Sequence, residues 1–151
     1  MEESDYHLLE EFIYWAIFVP PNSELPKRNI IYNPDVFIYI DNFGQENDCG
    51  VLAEADGKVI GLAWTRIIYA YGHIDNETPE LAISVLPEYR NQSVGAKLMK
   101  KLFELLTERG YKQTSLAVQK ENLAVNFYLR LGYEIVNETS EEYLMVKTLV
   151  D

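Results

Sequence analysis

Residues 85–99 read VLPEYRNQSVGAKLM, the end of an apolar stretch, a turn at Pro87, a polar loop and the first turn of a helix. The leading amides of such a helix have no partners within it, and the helix dipole adds partial positive charge there. An anion fits at that point, phosphate above all. Arg90, Gln92 and Ser93 stand in the loop with side chains able to add charge-assisted hydrogen bonds. With a negative φ, the Ser93 hydroxyl is expected to donate to the phosphate. Two nucleotide loops are excluded, because neither G-x-G-x-x-G nor G-x-x-x-x-G-K-[ST] occurs. Gly95 is the loop's one glycine, so by itself the stretch also suits an ordinary strand-to-helix connection.

Composition bounds what could surround that loop. The 151 residues, 48% hydrophobic and 13% aromatic, suffice for one domain over residues 1–151 with a sizeable core. The 24 acidic against 13 basic residues leave a net charge of -11. That charge works against nucleic acid and anionic membrane as partners and attracts cationic substrates. Cys49 is alone, so neither a disulfide framework nor a cysteine metal site is expected, and no metal is invoked. The apolar run of residues 12–20, FIYWAIFVP, is about half the ~20 residues that a membrane span needs. Without a signal-peptide pattern, a cytoplasmic setting is the expectation.

The elements that position the loop follow from periodicity. Leu8, Leu9, Phe12, Ile13, Ala16 and Ile17 make one helical face after the capping residues Ser4 and Asp5, and Pro20 and Pro21 end it. NPDVFIYIDNF suggests a second short helix. GVLAEA and KVIGLAWTRI flank Asp56 and Gly57, the residue pair of a tight hairpin. ELAISVL, between Pro79 and Pro87, reads as a buried strand. Residues 95–109 carry a helical stripe through Leu98, Met99, Leu102, Phe103, Leu105 and Leu106, closed by Gly110. QTSLAV is a strand, LAVNFYLRLG a short helix, and YEIV with EYLMVKTL a closing hairpin.

Two segments together carry a family resemblance. VLPEYRNQSVG, residues 85–95, resembles the acyl-CoA pyrophosphate loop of the GNAT superfamily of N-acetyltransferases, with the pattern R or Q, x, x, G, x, G or A. NLAVNFYLRLGYE, residues 122–134, resembles the same family's N-x-A-V-x-(F/L)-Y-x-x-x-G-(F/Y) segment. Their order is right, and their spacing leaves room for one helix and one strand. Ser93 departs from the pattern by replacing its first glycine. The chain also begins almost at the first helix, so the short strand that commonly precedes it in the family is expected to be absent or cut off.

The resemblance implies an α/β (α+β) fold: a single GNAT-like domain with a mixed, mostly antiparallel sheet, splayed between its central strands and flanked by helices. It implies acetyl-CoA as donor, its pantetheine arm bonded like an added strand to the backbone of Ile83, Ser84 and Val85. The pyrophosphate would lie on Arg90, Asn91, Gln92, Ser93, Val94, Gly95 and Ala96, with Asn122 against the arm from the other side. Tyr128 would point its hydroxyl at the CoA sulfur as the acid. The implied activity is transfer of the acetyl group to a primary amine of a small molecule or peptide by direct attack. A catalytically silent domain of the same fold, binding CoA or a protein partner, is the alternative, and a homodimer is the implied assembly.

An ammonium with a pKa near ~10 must lose a proton before it attacks, at a cost of about 4 kcal/mol at pH 7. Glu80, at the start of the central strand and beside an aromatic loop, is the first candidate base, acting through water. His73 is the second. Trp15, Trp64, Tyr69 and Tyr71 are candidates for the acceptor pocket.

Overall fold

The computed structural model describes residues 1–149. Its helices are α1 (Leu9–Ala16), α2 (Pro34–Phe37), α3 (Val94–Glu108) and α4 (Ala124–Arg130). Its strands are β1 (Cys49–Ala55), β2 (Lys58–Arg66), β3 (Glu80–Val85), β4 (Gln113–Gln119), β5 (Glu134–Glu138) and β6 (Glu142–Thr148). The order across the sheet is β1-β2-β3-β4-β6-β5. Every neighbouring pair is antiparallel except β3 and β4, which run parallel and share a single register pair, Glu80 with Ser115. Beyond that pair the two central strands separate, so the splayed sheet is present.

Local chemistry sets most of the boundaries. Asp56 and Gly57 both take positive φ, as a tight turn of matching twist requires, and pair Ala55 with Lys58. A 3-10 turn over Glu3–Leu8 precedes α1, so the first helix begins later than its caps suggest. Among the described residues no strand precedes it. Asn33 caps α2 by accepting the Asp35 amide at 3.0 Å, and Pro34 supplies a first-turn φ. No helix among the described residues is long and apolar enough to cross a membrane.

The two faces of the sheet carry separate cores. On one, α3 lays Leu98, Met99, Leu102 and Leu106 on Ala63, Leu81, Leu116 and Met145. Gly61 permits this close approach, since a Cβ there would stand 2.9 Å from a Leu98 methyl. On the other, Leu9, Phe12 and Ile13 of α1 cover Leu62 and Trp64. The Ser84 hydroxyl donates to the Phe12 carbonyl at 2.6 Å, which ties α1 to β3.

Candidate active site

The gap between β3 and β4 presents backbone groups that the sheet leaves free. The Leu86 amide donates to the Ile60 carbonyl, so in the alternating antiparallel ladder residues 82, 84 and 86 bond β2. Ile83 and Val85 therefore turn their amides and carbonyls toward the gap. On the facing strand, the Lys120 amide bonds the Glu141 carbonyl and the Leu149 amide bonds the Lys112 carbonyl. By the same alternation, Ala117 and Gln119 face the gap from β4.

A cleft of about 1070 Å³ runs from this gap to the N-terminus of α3. The first helical bond there is Lys97 amide to Ser93 carbonyl, so the amides of Val94, Gly95 and Ala96 precede the ladder at the cleft wall. A second cavity, about 260 Å³, lies on the other side of the gap, with Asp35, Tyr39, Tyr71 and Glu142 in its wall. Ile83, Asn122 and Tyr128 line both, and mark where cleft and cavity meet. Gly132 explains why Tyr128 stands there. With φ +98 it closes α4, letting the Tyr133 amide bond back to the Tyr128 carbonyl and the Gly132 amide to the Leu129 carbonyl, both at 3.1 Å. The Tyr128 ring meets Tyr133 edge to face, with centroids 5.6 Å apart. Burial alone pushes the Tyr128 hydroxyl up to about 12.

Residues 10–133 match the acetyltransferase (GNAT) family. The chain belongs to that family. It is 31% identical over 90 residues to the probable N-acetyltransferase camello of Xenopus tropicalis, covering 59% of this chain and 40% of that one. It is 41% identical over 58 residues to the thialysine N-epsilon-acetyltransferase of Mus musculus, covering 38% of this chain and 34% of that one. These matches span less than half the length of either relative. Among solved structures, the ribosomal-protein-S18-alanine N-acetyltransferase of Escherichia coli is similar with a TM-score of 0.68 at 18% identity, over 100% of this chain and 92% of that one. The PaiA N-acetyltransferase of Thermoplasma acidophilum, in complex with coenzyme A, gives 0.67 at 18% identity, over 98% of this chain and 95% of that one. The GNAT fold, with its mixed sheet, is thus common to all three.

Most residues expected at the cofactor site of this GNAT chain lie together on the large cleft: Ile83, Ser84 and Val85 on β3, Arg90, Asn91 and Ser93 in the loop, Val94 to Ala96 on α3, and Asn122. Gln92 does not. Its amide nitrogen donates to the Glu88 carbonyl at 3.1 Å and turns away from the cleft. Arg90 folds back, Nε donating to the Val85 carbonyl at 3.2 Å. Asn122 accepts the Ala124 amide at 2.9 Å through its side-chain oxygen, which leaves its NH₂ available.

Ser93 corrects an expectation: its φ is +66 rather than negative, and its hydroxyl makes no capping bond. Asn91 is likewise at +62. The chain reverses here by two left-handed residues, a conformation that glycine takes without strain.

Glu80 is 1% exposed and outside the wall of the smaller cavity. Its carboxylate accepts the amides of Ala70 at 3.2 Å and Gly72 at 3.0 Å, and the Tyr39 hydroxyl at 3.2 Å. Burial pushes its pKa up, and these three bonds with the nearby His73 only partly offset the rise. His73 stacks on Tyr69 with its Nδ1 at the Ile68 carbonyl, outside both pockets. Of the aromatic candidates, Tyr71 lines the smaller cavity, Trp15 lines the larger cleft, and Trp64 is core with its indole N–H on the Tyr39 carbonyl. Tyr69 is exposed and lines neither.

Three wall residues escaped the sequence reading. Asp35 and Tyr39 belong to the irregular stretch before β1, where no periodicity marks a face. Glu142 reads as one carboxylate of an acidic run, although burial, more than its neighbour Glu141, raises its pKa. Pairing with Gln119 is what brings it to the gap. Among the described residues, no group of three or more His, Cys, Asp or Glu side chains could hold a metal ion.

Proposed function

We propose that this chain is an acetyl-CoA-dependent N-acetyltransferase that acetylates a primary amine of a small molecule or peptide by direct attack. The observation that carries the reading is the meeting of cleft and cavity at Tyr128. The donor side fits a pantetheine arm, since Ile83, the Val85 amide and Gln119 offer strand-like bonding, and the Asn122 NH₂ can add to it. The amides of Val94, Gly95 and Ala96 suit a pyrophosphate, with Arg90 close enough to turn onto it. Bound acetyl-CoA supplies the thioester that the amine attacks.

On the acceptor side, Glu80 is the base, because its buried carboxylate forms no ion pair and burial raises its proton affinity. Tyr128, held neutral by burial, donates its hydroxyl hydrogen toward the departing sulfur. The wall carboxylates Asp35 and Glu142 favour a cationic acceptor.

Release of free CoA thiol in the presence of an amine panel tests the reading. The expected result is amine-dependent release, lowered about ten- to a thousandfold in Tyr128→Phe with acetyl-CoA affinity near wild type. Acetyl-CoA binding without release for any amine would instead support the catalytically silent domain.

A further inference from the structure

We propose that Tyr39 is the proton relay between the acceptor amine and buried Glu80. The inference rests on the enzymatic reading above and replaces the water expected between amine and base. Glu80 is closed off from the cavity, and two of the three groups bonded to it are backbone amides, which do not exchange protons on the timescale of turnover. The third is the Tyr39 hydroxyl, 3.2 Å from Oε2, and Tyr39 lines the cavity wall. Among the described residues it is the one side chain hydrogen-bonded to Glu80, and it lines the cavity.

The Tyr39–Glu80 pair is held at both ends. The Tyr39 carbonyl accepts the Trp64 indole N–H at 2.9 Å, which anchors the residue to β2. Gly72 presses against the carboxylate from the opposite side, where a Cβ would meet Oε2 at 3.0 Å and the Ala117 amide at 3.1 Å. The Ser115 hydroxyl donates to the Gly72 carbonyl at 2.6 Å and holds that loop down. Gly72 is itself buried on this side of Glu80.

The step balances as follows. The ammonium passes a proton to the Tyr39 oxygen while the Tyr39 hydroxyl proton moves to Oε2 of Glu80. The freed lone pair forms the C–N bond and the C–S bond breaks; the sulfur leaves with its electron pair and takes the Tyr128 hydroxyl proton, while the surplus proton on the nitrogen passes to the Tyr128 oxygen, giving a neutral amide and CoA thiol. Glu80 then carries the proton until the same hydroxyl returns it to solvent. Other titratable or charged groups facing this pair are Tyr71 and His73 from the loop, Glu142 from β6, Asp35 from α2 and Tyr128 across the cavity. Arg66 of β2 is engaged by Asp48.

The test compares wild type, Tyr39→Phe, Glu80→Gln and the double variant in kcat/KM for a primary amine from pH 7 to 10. Each single change should lower the value at pH 7 by about a hundredfold, the double variant no further, and the deficit should close as the amine deprotonates unaided. Carbon NMR of glutamate-labelled protein, with Glu80 assigned by its loss in Glu80→Gln, gives an independent readout. Tyr39→Phe removes a donor, so the Glu80 carboxyl should titrate at higher pH. An active Tyr39→Phe at pH 7, a deficit constant to pH 10, or multiplying deficits would overturn the relay alone. A wild type that binds acetyl-CoA yet acetylates no amine would overturn the enzymatic reading beneath it.

Discussion

Arg66 and Glu80 are cross-strand partners on β2 and β3, yet they form no ion pair. The Arg66 guanidinium forks instead onto Asp48, with Nε and Nη2 each 3.0 Å from a carboxylate oxygen. Its Nη1 donates to the carbonyls of Ile38 and Asp41. Asp48 thus withholds from Glu80 the one cation its strand neighbour could supply. A buried carboxylate beside a free arginine would be a poor base; beside an occupied one it keeps its proton affinity.

That affinity has a consequence for stability. With its folded pKa raised, Glu80 binds a proton more tightly in the native than in the unfolded chain, so wild type loses stability as pH rises through the folded value. Below the ordinary carboxylate pKa the penalty is absent. Denaturant titrations should show the Glu80→Gln minus wild-type difference rising with pH above the ordinary carboxylate range and levelling once the pH passes the folded pKa. A difference flat with pH would mean that Glu80 titrates normally.

Asp48→Ala should be far more damaging than a surface change. It strands the buried Arg66 charge, a loss of about 3 to 5 kcal/mol. Thermal melts should fall by roughly 6 to 20 °C for a chain of this size. A fall of only a degree or two would show that Arg66 finds another partner or reaches water.

Ser93→Gly should stabilise the fold. At φ +66 the serine is strained by about 1 kcal/mol, and its hydroxyl makes no capping bond in return. Melting should rise roughly 2 to 4 °C, and calorimetry should find CoA affinity unchanged within about threefold. A tenfold weaker CoA complex would return the hydroxyl to the role of phosphate donor.

Acceptor preference should follow the cavity wall. Asp35 and Glu142 line it, without any Lys, Arg or His. Diamines and lysine-like amines should outcompete anionic amines, and Glu142→Gln should raise KM for a diamine by about tenfold. Added salt should narrow the preference, as screening sets in over ~10 Å at 0.1 M. Equal use of acidic amino compounds at low salt would assign the net charge to solubility alone.

That the proposed donor residues gather on one cleft was legible because their signals are local. The loop before α3, the helix N-terminus and the spacing of Tyr128 from Gly132 are each contiguous, and each depends on backbone chemistry that residue types reveal. The acceptor half was not. Tyr39 reaches Glu80 across 41 positions of sequence, and Glu142 reaches the gap only through the β4–β6 register. The positive φ of Ser93 was also hidden, since serine seldom adopts it and the geometry of the loop imposes it. Glu80 was singled out by its place on the strand, but its burial under Gly72 required the loop to be seen.

The most direct measurement is the thermal stability of the protein with acetyl-CoA, ATP and NAD compared at equal millimolar concentration. A cleft built for a pantetheine arm and a pyrophosphate should be stabilised by acetyl-CoA by roughly 2.7 kcal/mol at about 100 times its dissociation constant, and far less by the other two. The melting point should therefore rise with acetyl-CoA alone. No rise with acetyl-CoA, or an equal rise with all three, would contradict the assignment of this cleft to acetyl-CoA and with it the proposed reaction.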